Sequence, residues 1–198
     1  VTVFDEDLLS QRNAVAWIKV SGEGTADSDF VAAGFCKVLE RKRNIKKSSR
    51  TGMPSGEIKK EQEIEGVDIT LDLMEFSHRN NCLVEGFNPT DVIEGAAAEE
   101  REDVIELWAE VKFAYINMSD AGGWTGDLDS VPAHKAFYYT RCQLDSEVSE
   151  SFEYKGEALN RLVFHALRDP SNNNRFANIH MSLASVDCSD DSTGVEIT

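Results

Sequence analysis

Apolar and polar positions alternate strictly from residue 67 to residue 73. Val67, Ile69, Leu71 and Leu73 take one side of the alternation, and Asp68, Thr70 and Asp72 take the other. Successive side chains of a strand point to opposite faces, so this stretch predicts a half-buried β-strand. The alternation stops at Glu75, Phe76 and Ser77. A serine there can cap a short helix, its hydroxyl accepting from a backbone N–H that has no partner within the helix. Gly86 can close that helix, because glycine adopts the left-handed conformation without a Cβ clash. The predicted unit is strand, one or two helical turns, then exit.

The same reading extends along the chain. Residues 14–20 form an apolar run that reads as a strand and enters a turn at 21–24. Residues 103–116 satisfy two periods. Ile105, Leu107, Ala109, Val111, Phe113 and Tyr115 alternate with polar positions, while Val104, Leu107, Trp108, Val111 and Tyr115 share a helical face. Six consecutive matches and an aromatic, β-branched end favour strand. Residues 135–144 read as a strand followed by acidic 145–150. Residues 151–186 stay open. Leu159, Leu162, Val163, Ala166 and Leu167 define a helical face, yet Leu162, Phe164 and Ala166 also alternate, and turn formers at 170–174 separate them from a second run at 176–183. Residues 87–91 and 119–130 read as turn and loop, and polar 96–103 is compatible with helix. Many strands separated by turn signals predict a mainly β protein, an antiparallel sandwich or half-barrel flanked by one or two short helices. The 198 residues, 41% of them hydrophobic, predict a single domain over 1–198 with a sizeable core.

Charge changes this picture at one place. The chain carries −16 overall, yet residues 37–60 hold nine basic side chains against Glu40 and Glu57. That segment is +7, which leaves −23 for the remainder. Its middle, 47–56, is rich in turn formers. The expectation is a hairpin-like excursion: a strand near 34–43, a mobile tip over 44–56 and a returning strand near 57–63. Lys42, Arg43, Lys46, Lys47, Arg50, Lys59 and Lys60 are its candidate contact residues. Three roles suit such a segment: a nucleic-acid patch, a solvated loop, or an arm that docks on an acidic surface. The nearest acidic surface is another copy of the chain, and opposite patches on one molecule favour head-to-tail association. The acidic remainder argues against sequence-specific DNA binding.

Candidate chemistry is sparse. Gly22 and Gly24 begin a dinucleotide fingerprint, but Asp27 stands where its third glycine belongs. Asp120, Asp127 and Asp129 lack the calcium-loop spacing. Cys36, Cys82, Cys142 and Cys188 form no CxxC pair, so no zinc ligand set is expected. His78, His134, His165 and His180 are isolated, and no nucleophile elbow or phosphate loop occurs. Catalytic, cofactor and metal residues are therefore expected to be none. The longest apolar run is far too short to span a membrane. The chain opens on Val1 with no leader of the charged-then-apolar kind, so reduced thiols made in a cytosol are expected.

The stretch Ile69-Thr-Leu-Asp-Leu-Met-Glu-Phe-Ser77, followed by Asn80-Asn-Cys-Leu-Val84, resembles the centre of a bacteriophage major tail protein, the tail-tube subunit. The likeness covers about twenty residues well and the rest of the chain loosely. It implies hexameric rings stacked into a hollow tube, located in the virion tail after synthesis in the host cytoplasm. Partners would be other copies of the chain, a tape-measure protein and a tail terminator. DNA would pass through the lumen without specific binding. It also implies that the basic excursion reaches the neighbouring ring, and that 162–166 and 176–183 form a hairpin around Asp169-Pro170. Within that class the alternatives are a terminator ring and a secretion-system tube subunit. Outside it they are a β-sandwich carbohydrate-binding module, for which Trp17, Trp108 and Trp124 are too scattered, and an enzyme.

Overall fold

The computed structural model describes residues 14–21, 30–51, 58–95, 106–116, 131, 133–145, 160–173 and 175–181. The polar stretch 96–103 that is compatible with helix, the loop at 119–130 with its aspartates, the opening segment and the acidic tail lie outside them.

Seven strands and one α-helix are formed among the described residues. They are β1 (Ala14–Val20), β2 (Val31–Thr51), β3 (Ile58–Leu73), α1 (His78–Val84), β4 (Trp108–Ile116), β5 (Ala133–Leu144), β6 (Asn160–Ala166) and β7 (Asn178–Met181). Neighbours are antiparallel in the order β4-β1-β2-β3-β6-β5-β7, and β4 pairs with β5 as well. That extra pairing curls six strands into a ring, with β7 added on the free stretch of β5. The mainly antiparallel β class expected from the sequence is the class observed, and closure hides edges that would otherwise template aggregation.

The interior is built from the alternating positions. Val67, Ile69, Leu71 and Leu73 of β3 point inward with Ala16 and Ile18 of β1, Val111 and Phe113 of β4, Tyr139 of β5 and Phe164 of β6. β1 is apolar on both faces because both are covered. Val15 and Trp17 look outward into a second cluster with Phe30, Ala114, Ile116, Val131 and Tyr138. Trp17 is fully buried there. β4 is covered in the same way, and strand is the observed state over 108–116, with Glu106 and Leu107 ahead of it and 103–105 outside the described residues; the expected polar face is largely absent, since Lys112 and Ala114 are buried too.

The predicted strand–helix unit is present residue for residue. Ser77 Oγ accepts from the Asn80 N–H at 3.1 Å, capping α1. At the other end Gly86 takes φ +74°, its N–H reaches Leu83 O at 3.0 Å, and Phe87 N–H reaches Cys82 O at 2.8 Å. That pair of bonds is a Schellman closure. α1 plugs one end of the ring. Leu83 and Val84 enter the core, Asn80 Nδ2 donates to Ala33 O at 2.9 Å and Arg79 Nη2 donates to Ile18 O at 2.7 Å.

Two expectations are corrected. Residues 162–166 and 178–181 are strands, but they do not pair as a hairpin. One bridge, Asp169 to Arg175, holds the turn between them, and beyond it β6 pairs with β3 and β5 while β7 pairs with β5. The Pro170–Asn172 turn of 3-10 helix and left-handed Asn173 spread the two segments apart. The second correction concerns the tip. Residues 44–51 are strand rather than loop, since β2 runs to Thr51 and β3 restarts at Ile58. Whether a polar stretch forms a strand depends on its cross-strand partner, and here that partner lies on the returning strand, 22 residues downstream at Asn44 and 7 at Thr51.

Candidate functional site

The basic segment is a two-stranded arm. β2 pairs with β1 only through Cys36, and β3 pairs with β6 only from Val67 onward. Residues 45–51 and 58–64 therefore pair with one another and with no further strand among the described residues. At about 3.3 Å per residue, 44–51 carry the ribbon roughly 23 Å past the ring.

A bulge marks its base. Asn44 pairs with Gly66 and Ile45 with Ile64, which leaves Glu65 as the extra residue. An extra residue bends a strand and increases its twist. Gly66 is required because the His165 ring lies against it: a Cβ there would stand 2.6 Å from His165 Cε1.

The register separates the arm's two faces. On the outer face Asn44 Nδ2 donates to both oxygens of Asp68 at 3.0 Å, and His165 Nδ1 lies 2.6 Å from Asp68 Oδ1. Lys46 pairs with Glu65 at 3.2 Å. Arg168 reaches Glu63 at 2.9 Å and also donates to Ile64 O. Partial burial alone would raise the Asp68 carboxyl, but the Asn44 and His165 hydrogen bonds and the charges of His165 and Lys42 outweigh it and hold it below its ordinary range. On the inner face Arg41 packs its guanidinium 4.4 Å from the Phe137 ring and bonds Tyr139 Oη at 3.4 Å. Burial raises the Tyr139 hydroxyl, with the cations of Arg41 and Arg43 opposing it. Arg43, opposite core residue Val67, Ile45, opposite Ile64, and Lys47, opposite Gln62, continue that face.

The candidate residues are thus brought onto one ribbon but not into one patch. Lys42 and Lys46 lie outside, with Lys46 in an ion pair, and Arg43 and Lys47 lie on the inner face, exposed. Arg50 stands opposite Lys59 and Ser49 opposite Lys60 in the backbone register. Counting only 37–60 missed Glu61, Glu63 and Glu65, which return along β3 and offset part of the charge. Their alternation just past Lys60 was the available signal. Asn44, Asp68, His165 and Arg168, which brace the base, were not singled out.

The opposite end of the molecule is acidic. Residues 74–95 hold Glu75, Glu85, Asp91 and Glu94 against Arg79, whose guanidinium is turned onto β1. Among the described residues no group of three His, Cys, Asp or Glu side chains is arranged to hold a metal ion. Cys36, Cys82 and Cys142 are buried free thiols, and burial, helped by nearby Asp72, pushes Cys36 up to about 12. No helix among the described residues is long and apolar enough to cross a membrane.

No protein-family pattern matches the sequence, and no curated protein matches it. Among solved structures, partial likenesses are found. One is a chain of the sheath–tube complex of an extracellular contractile injection system, with TM-score 0.44 and 12% identity over 84% of this chain and 88% of that one. Another is the tube-terminating cap of the anti-feeding prophage, with TM-score 0.46 and 12% identity over 92% of this chain and 99% of that one. A third is Hcp1 from Flavobacterium johnsoniae, with TM-score 0.35 and 12% identity over 87% of this chain and 98% of that one.

Proposed function

We propose that this chain is a structural, non-enzymatic subunit of a self-assembled tube. Copies would form rings, six-fold by the tail-protein resemblance, and the rings would stack around a lumen. The observation that carries the reading is the arm: a ribbon of two strands that leaves a closed β ring, with both outer edges unpaired among the described residues. A two-stranded ribbon is at best marginally stable in water on its own. One this long is best accounted for if a neighbouring subunit covers it. The edge of β2 beyond Cys36, which pairs with no strand but β3 among the described residues, also supports the reading, because strand edges are where sheets of adjacent subunits join.

The finer expectations belong to the same proposal. The particle would be a phage-type tail or a related injection device, with a tape-measure protein and a terminator as partners. An acidic lumen would let DNA pass without sticking. Negative-stain microscopy of purified protein tests the reading directly, with rings and tubes expected. A protein that stays monomeric in light scattering at high concentration, with no rings on the grid, overturns it.

A further inference from the structure

We infer that the inner face of the arm docks on the α1 end of a second copy of this chain. The proposal rests on the tube reading and names the surface that receives the arm.

Exposed apolar side chains are the first observation. The large hydrophobics left exposed among the described residues are Val31, Ile45, Met74, Phe76 and Ile93. Four of these five lie at or near the α1 end. Val31 begins β2 there, Met74 and Phe76 follow the end of β3, and Ile93 adjoins Val92, whose carbonyl lies 3.1 Å from His78 Nε2 at the start of α1. Ile93 is the most open of all, at 78%. The fifth, Ile45, sits on the arm's inner face between Arg43 and Lys47. One end offers an apolar surface rimmed by carboxylates, and the other offers one apolar side chain flanked by two cations.

Geometry then decides between self-contact and contact with another copy. β3 carries the arm at its start and Met74 just past its end. The eleven residues from Glu63 to Met74 span about 36 Å at strand rise. The two surfaces cannot meet within one chain. They are also different surfaces, so their pairing is heterologous and repeats without closing, as a stack requires.

Charge selects the inner face. On the outer face Lys46 is neutralised by Glu65, and Glu63 by Arg168. Arg43 and Lys47 have no ion pair among the described residues. At the α1 end, residues 74–95 carry four acidic side chains, Glu75, Glu85, Asp91 and Glu94, against Arg79. The inner face also continues the wall of the ring past its rim, so a copy seated end-on over that rim meets it.

The test is a charge exchange. Arg43→Glu/Lys47→Glu on the arm and Glu85→Lys/Glu94→Lys at the α1 end are each expected to lower ring stacking at least about tenfold, and their combination to restore it. Ile45→Ser and Ile93→Ser form a second pair that leaves the charges alone, and each is expected to shorten tubes. Circular dichroism confirms that each variant is folded, and ring and tube counts by negative stain give the result. If arm variants stop stacking while α1-end variants stack like the parent, or if the combination restores nothing, the arm docks elsewhere and the inference falls while the tube reading stands. If the parent protein makes neither rings nor tubes, both fall together.

Discussion

The residue that most departs from its predicted setting is Asp72. Alternation places it on the polar face of β3, yet it is 2% exposed. Arg161, across the β3–β6 ladder, covers it with two parallel hydrogen bonds, Nε to Oδ1 at 2.7 Å and Nη2 to Oδ2 at 2.8 Å. Arg161 is itself half open to water, so the bridge serves mainly to satisfy a carboxylate that the fold has buried. Leaving a buried acceptor without its donor costs about 1–3 kcal/mol. Arg161→Met is therefore expected to lower unfolding stability by about that amount, measured in urea. Arg161→Lys should recover only part, because an ammonium cannot reproduce the two-pronged contact. Asp68, two positions after Gly66, makes a pH prediction. Its carboxyl is held below the ordinary range. A depressed carboxylate contributes stability that is fully present above its unfolded value, near pH 3.9, and is lost as pH falls through the folded value. Between about pH 5 and pH 3 the urea midpoint of the parent protein should fall more steeply than that of Asp68→Asn. Parallel profiles would show that the carboxylate does not couple to stability.

At the scale of elements, what the sequence revealed depended on whether the deciding contact was local. The β3–α1 unit was legible because its signals are self-contained: alternation, a serine three residues before the N–H it caps, and a glycine at the left-handed exit. β1 was legible as an apolar run, but not the burial of its second face, which depends on Phe30 and Val131 arriving from elsewhere. The arm strands were half legible. Residues 44–51 look like a loop when read alone and become strand only against 58–66. Pairing of β6 and β7 was misread because a turn between two apolar runs does not specify which edge each run joins. The base of the arm gives a test at this scale. Gly66→Ala drives a methyl group into the His165 ring, which must turn and release Asp68. The expected cost is about 1–2 kcal/mol, typical of overpacking a tight contact. His165→Ala removes the obstacle and the hydrogen bond together, so the double variant should be more stable than the sum of the single changes implies. A double-mutant cycle by chemical denaturation reads this coupling. Strict additivity would mean that ring and glycine do not act on each other.

Closure of the ring and the position of the arm belong to the whole molecule. No local pattern announces that β4 pairs with both β1 and β5, because that contact joins residues far apart in sequence. Closure divides the molecule into two parts with different tasks. The interior cluster draws on all six ring strands and α1, whereas among the described side chains of the ribbon beyond Asn44 and Gly66 only Ile64 joins it, packed at the margin. Stability should therefore reside in the ring and assembly in the arm. Replacing residues 45–65 with an Asn-Gly turn between Asn44 and Gly66 tests this, since that dipeptide suits a tight two-residue hairpin. Loss of Ile64 packing and of the Lys46 and Arg168 ion pairs should cost about 1 kcal/mol. In a chain of this length that lowers the thermal midpoint by only about 2–4 °C. Higher-order assembly should vanish on the same deletion, and in the parent protein it should weaken as salt is raised, because exposed ion pairs are screened over about 8–10 Å at moderate ionic strength. Calorimetry and light scattering on one preparation separate the two effects. A deletion that unfolds the ring would place the arm in the core of the fold, and one that assembles as before would leave the ribbon without a role in stacking.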